Sequence, residues 1–175
     1  VSEAPKPTVT FPKSFLWGSA TAGFQVERGL EHTDWWHWAT EGNHIRGGDH
    51  PDRGGPDALS HIADDVAALA STGQNAYRFS IEWGRVYPTR ESFDSDLPDA
   101  KALSAYEELF DALAKAHIAP LVTLQHFAFP DWLSDVTKPD EPQGFERAGA
   151  PALFATWAGR MATRFGKYVD TWVTI

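Results

Sequence analysis

The sequence predicts an α/β fold: the first half, strands one to four, of a (β/α)8 TIM barrel. Two observations carry this reading. Strand-like and helix-like segments alternate in the order β-α-β-α-β-α-β, which demands crossovers and therefore parallel strands with helices packed on the sheet. The segments that follow strands are long and polar, whereas those that precede strands are short. A barrel that builds its active site at the C-terminal strand ends has this asymmetry. The order alone also suits a doubly wound sheet. Residues 1–10 read as an N-terminal extension and residues 11–175 as the half-barrel.

Each element has a local cause. Residues 15–20 (FLWGSA) read as a short buried strand, and residues 24–56 as a long loop rich in Gly, His, Asp and Trp. Leu59, Ile62, Val66 and Leu69 recur at helical spacing, and Gly73 stands where a left-handed glycine ends a helix. Residues 75–81 (NAYRFSI) alternate, with Tyr77, Phe79 and Ile81 on one face and Ala76, Arg78, Ser80 and Glu82 on the other. Residues 83–98 are loop. Leu103, Tyr106, Leu109, Phe110 and Leu113 mark a second helix, and residues 119–124 (APLVTL) a third strand. Residues 125–150 are loop again. Pro151 suits the first turn of a third helix with an apolar face of Phe154, Trp157, Met161 and Phe165. Residues 169–175 (VDTWVTI) form the fourth strand.

Composition narrows the function. The 175 residues suffice for one domain with a real core. Fifteen Lys and Arg against 24 Asp and Glu give a net charge of −9, which argues against nucleic-acid partners. With no cysteine, disulfides, thiolate metal sites and thiol nucleophiles are excluded. No apolar run is long enough to span a membrane. Residues 1–10 carry no apolar leader, so a cytoplasmic protein is expected, with secretion after signal cleavage the alternative. Eight Trp, eleven Phe and four Tyr make up 13% of the chain. Such a surplus serves either a Trp-rich core or flat apolar faces offered to a ligand.

Gln25 follows the first strand, Arg78 lies on the second with Glu82 and Trp83 beyond it, and His126 follows the third. A sugar hydroxyl both donates and accepts, so amide, imidazole and carboxylate groups with an aromatic ring nearby suit it. Bland alternatives stand beside each: a loop cap for Gln25, a satisfied interior histidine for His126, and an ion pair with Glu82 for Arg78. His32, Asp34, His37, His44, Asp49, His50 and His61 crowd the first long loop and the helix after it. They show neither HExxH nor EF-hand spacing, so no metal is expected. Asp64 and Asp65 read as solvated helix charges. GSATAG is neither a dinucleotide fingerprint nor a P-loop, which disfavours a nucleotide-binding flavodoxin-like domain, and no cofactor is expected.

Four stretches carry a resemblance: FPKSFLWGSATAGFQVE, NAYRFSIEWGRVYP, LVTLQHFAFPDWL and FGKYVDTWVTI, in that order from about residue 11 to residue 175. Together the sequence resembles the N-terminal half of a family 1 glycoside hydrolase, a retaining β-glycosidase. The resemblance implies that Gln25 holds two hydroxyls of the non-reducing sugar and that His126 binds the same sugar. It implies that Arg78 lies beside the nucleophile carboxylate and keeps it ionised, and that Glu82 and Trp83 are structural. Phe127 stands where the family usually has a sugar-binding tryptophan, and Arg28 replaces a common glycine after Glu27. Both departures bear on substrate preference within β-glucosides and β-galactosides, and the class is unaffected.

The family's WVTI is followed at once by Asn-Glu-Pro, whose glutamate is the acid/base; the nucleophile glutamate comes later, on strand seven. The expectation is therefore a chain inactive by itself, made by a split, a nick or a multi-chain assembly. Its partners would be a β-glycoside and a complementary C-terminal barrel fragment or a second copy of the chain. A non-catalytic carbohydrate-binding scaffold is the rival reading.

Overall fold

The computed structural model describes residues 9–41, 44–53 and 55–175, so most of the extension expected at 1–10 lies outside it. Four strands, β1 (Gly18–Ala20), β2 (Ala76–Ser80), β3 (Ala119–Thr123) and β4 (Thr171–Val173), form one parallel sheet. The helices are α1 (Gly23–Val26), α2 (Asp34–Thr40), α3 (Ile62–Ser71), α4 (Trp83–Val86), α5 (Arg90–Asp94), α6 (Ala100–Lys115) and α7 (Ala150–Phe165). The spatial order β1-β2-β3-β4 follows the chain and has no point of reversal, so the doubly wound alternative falls.

Register assigns the two faces of the sheet. Ala20, Arg78, Leu121 and Thr171 are paired in one row, and Ser80, Thr123 and Val173 in the next, on one face. Tyr77, Phe79, Val122 and Trp172 project from the other face into a single core with Val66 of α3, Phe110 of α6 and Met161 of α7. The period-2 and period-3.6 apolar patterns are thus the two halves of one hydrophobic interface. Trp83 and Trp157 lie fully buried in this core, stacked at 5.5 Å and 4°. The Trp157 ring N–H donates to Leu124 O at 2.9 Å, the partner that a buried indole needs. Trp17, Trp35 and Trp38 remain exposed. The aromatic surplus therefore divides between the core and the surface.

The helix termini follow their sequence signals. Gly73, just beyond α3, has φ +75°, and Asp64 and Asp65 are exposed in that helix's first turn, where negative charge is favoured. The Asp99 side chain caps α6 by accepting from Ala102 N at 2.7 Å. Pro151 occupies the first turn of α7.

Three expectations need correction. The first strand covers Gly18–Ala20 and is exposed, where a buried strand from residue 15 is expected from sequence. Phe11, Phe15 and Trp17 pack on one another with centroids 4.6–4.8 Å apart and do not enter the sheet. The fourth strand is likewise trimmed to Thr171–Val173, and the third ends at Thr123. The loops at 24–56 and 83–98 contain short helices, α2, α4 and α5 among them. Thr89 and Ser92 start α5 with reciprocal side-chain-to-backbone bonds of 3.0 and 3.2 Å, a local signal visible in the sequence. Among the described residues no helix is long and apolar enough to cross a membrane.

Candidate functional site

Arg78 sits mid-strand on the face opposite the core. Its Nε donates to Thr123 Oγ1 at 2.8 Å across the β2–β3 pair. The ion pair with Glu82 expected as an alternative does not form, because Glu82 is buried and its Oε1 accepts from Ser80 Oγ at 2.7 Å. Among the described residues Arg78 has no carboxylate within ion-pair distance. A half-buried guanidinium on this face therefore has no counter-ion among the described residues.

His126 follows β3 and is half-buried. Burial first, and the Arg78 charge second, hold its pKa below the usual imidazole value, so the ring is neutral at neutral pH. Its Nδ1 is buried without a partner, so His126 is not the satisfied interior histidine of the bland alternative. Phe127 places its ring 4.5 Å from the His126 ring and is 44% exposed. Gln25 is exposed on α1, whose N-terminus carries no side-chain cap, so capping does not explain it. The structure links these residues through rings: Phe127 stacks on Trp35 at 5.1 Å, and Trp35 meets Phe24, the neighbour of Gln25, at 5.6 Å. Trp35 joins this cluster of rings and has no sequence signal beyond its place in the TDWWHW run.

A buried polar network braces the ends of α1 and also escapes sequence reasoning. Gly23 N donates to Ser80 Oγ at 2.7 Å, and a Cβ on Gly23 would lie 2.3 Å from Glu82 Oε1. At the other end, Glu27 Oε2 accepts from Arg85 Nε at 2.9 Å, and Tyr106 OH donates to the same carboxylate at 3.1 Å. Tyr106 OH also accepts from Glu82 N at 3.0 Å, and Arg85 donates to Arg28 O. Burial, with the Glu27 charge beside it, pushes the Glu82 carboxyl up to about 8. Glu82 is therefore neutral at pH 7. Burial also pushes Glu27 up, against the pull of the Arg85 guanidinium.

Of the metal-ligand types crowding the first long loop, His37 is held between Glu41 (2.8 Å) and Asp131 (3.4 Å). Among the described residues no group of three or more His, Asp or Glu is arranged to hold a metal ion.

A family model described as glycosyl hydrolase family 1 matches residues 7–175. The chain belongs to this family. This family 1 chain is 36% identical to the aryl-phospho-beta-D-glucosidase of Bacillus subtilis, over 95% of its own length and 34% of the relative's. It is 34% identical to the bifunctional beta-D-glucosidase/beta-D-fucosidase of Bifidobacterium breve, over 96% and 36%. The family 1 β-glucosidase structure from Thermotoga maritima superposes with a TM-score of 0.80 at 28% identity, covering 94% of this chain and 36% of that one. The chain thus spans about a third of the length of these proteins. Its sheet is the first half of the family 1 TIM barrel, and Arg78 and Thr123 face the barrel's interior.

Proposed function

We propose that residues 1–175 form the glycone-binding part of a retaining β-glycosidase acting on β-glucosides or β-galactosides. The observation that carries the reading is Arg78, a cation on the interior face with no carboxylate partner among the described residues. A nucleophilic carboxylate of the completed barrel would pair with it and stay ionised. Beside it, the neutral His126 has an unpartnered ring nitrogen. Gln25 adds an exposed amide, and Phe127 an apolar face. Together they match what a sugar ring presents: hydroxyls that donate and accept, and a flat C–H face.

The retaining mechanism needs two carboxyl groups roughly 5–5.5 Å apart across the scissile bond. Glu27 and Glu82 do not meet this need, being buried and engaged by Arg85, Tyr106 and Ser80. The paired interior face of the sheet otherwise carries Gly18, Ala76 and Ala119, then Ala20, Arg78, Leu121 and Thr171, then Ser80, Thr123 and Val173, with no acid among them. In this reading the acid/base and the nucleophile come from outside residues 1–175, on a complementary segment that closes the barrel. Hydrolysis of phenyl β-glucoside and phenyl β-galactoside tests it. Residues 1–175 alone should be inactive, and activity should return with a segment carrying strands five to eight. Turnover by residues 1–175 alone at an ordinary glycosidase rate would sink the reading.

A further inference from the structure

Asp34 is the first residue of α2 and is 5% exposed, an unusual place for a carboxylate. It makes three bonds, two of which join α2 to the turn after β3. Its backbone N–H donates to Phe129 O at 3.0 Å. Its Oδ1 accepts from Phe129 N at 2.9 Å and from Trp35 N at 2.8 Å. One side chain thus holds the backbone of Trp35 and the backbone two residues beyond Phe127.

The turn is braced from its other side. Gln125 is buried, and its Nε2 donates to Ala128 O at 2.8 Å. Between these anchors Phe127 has φ +67°, a left-handed conformation that a bulky residue adopts only when its surroundings impose it. This conformation sets the Phe127 ring against Trp35, nearly parallel at 17°, with 44% and 41% of the two residues left exposed. Two large rings are therefore held half in solvent beside His126, by a buried acid and a strained backbone. A core aromatic pair needs neither device.

We infer that Asp34 is a positioning residue that holds Trp35 against Phe127, so that the two rings form one aromatic wall running from the glycone to a flat apolar ring carried by the substrate next to it. This inference rests on the glycosidase reading. The ring is an aryl group or the C–H face of a second pyranose, since both present the same surface to a stacked aromatic.

The test compares kcat/KM for methyl β-glucoside, phenyl β-glucoside and cellobiose in the assembled glycosidase. Ratios between substrates cancel any loss of folded enzyme. In Trp35→Ala and Asp34→Ala the phenyl-to-methyl or cellobiose-to-methyl ratio should fall about three- to tenfold, through KM. A fall confined to phenyl identifies an aryl ring, and a fall for cellobiose identifies a sugar. Asp34→Asn should restore the wild-type ratios, because its amide oxygen can still accept from Phe129 N and Trp35 N. Ratios unchanged in Trp35→Ala, in an enzyme that cleaves all three substrates, overturn the wall. Ratios that fall in Trp35→Ala but not in Asp34→Ala overturn the role of Asp34. A wild type that cleaves neither these three substrates nor their β-galactoside counterparts overturns the glycosidase reading, and this inference falls with it.

Discussion

Arg85 and Glu27 meet at 2.9 Å with side chains 18% and 5% exposed, joining α4 to the end of α1. Tyr106 of α6 donates to the same carboxylate, so three elements converge on one buried charge. Gln25 lies between this anchor and the Gly23–Ser80 bond at the other end of the helix. The position of the exposed glutamine is thereby set from beneath by groups that are largely buried.

Removing Arg85 leaves the Glu27 carboxylate buried without its cation. Arg85→Ala should destabilise the fold by about 3–5 kcal/mol, in the range seen when one partner of a buried pair is lost. Denaturant unfolding measures this. The double variant Arg85→Ala/Glu27→Gln should recover part of the loss. A double variant no more stable than the single would show that the cost is packing of the guanidinium stem and not the stranded charge.

Glu82 makes stability pH-dependent. Its folded pKa is raised from 4.5 to about 8, so the folded state holds a proton that the unfolded state has released. The contribution is fully present below about pH 4.5 and is lost as pH rises through 8. Glu82→Gln mimics the protonated form and has no proton to lose. The variant should therefore gain stability relative to wild type as pH rises from 5 to 9. Thermal melting across that range measures the gain, and two curves that stay parallel would refute it.

In the assembled enzyme, His126→Ala and Gln25→Ala should each lower kcat/KM by about ten- to a hundredfold, the loss of one or two hydrogen bonds to the sugar. Inhibition by a neutral sugar-like inhibitor should weaken in parallel. Folding defects with unchanged kinetics would return both residues to a structural role.

Arg78→Ala should cost more than either, because the nucleophile would lose its counter-ion and its pKa would rise. The acid limb of the pH–kcat/KM profile should move to higher pH in Arg78→Ala and stay near its wild-type position in Arg78→Lys. An unmoved limb in Arg78→Ala would place the nucleophile away from this residue.

Residues 1–175 by themselves present exposed β1 and an interior face with half-buried Arg78, Leu121 and Val173. Unpaired strand edges of this kind invite another strand. Light scattering should find association, or a stoichiometric complex with a segment carrying strands five to eight. A sharp monomer near 19.4 kDa that folds cooperatively would refute this.

The sequence by itself determined the alternation of elements, because strand and helix periods are local. Tyr77, Phe79 and Ile81 alternate, and the face of α6 repeats every three to four residues, wherever the chain later packs. Gly73 and Pro151 are legible for the same reason, each answering to its own backbone angles. Arg78, His126 and Gln25 could be picked out as candidates because strand ends can be counted along the chain. Their partners could not. Arg78 turned to Thr123 and not to nearby Glu82, because register brings β3 alongside β2 while Glu82 turns into a buried network. Trp35 reached Phe127 because Asp34 docks α2 on the turn after β3. Glu27 found Arg85 58 residues away. Such pairings are set by how loops fold over the sheet, and desolvation decides which charges they must satisfy. No periodicity records either, so they became visible only in the tertiary structure.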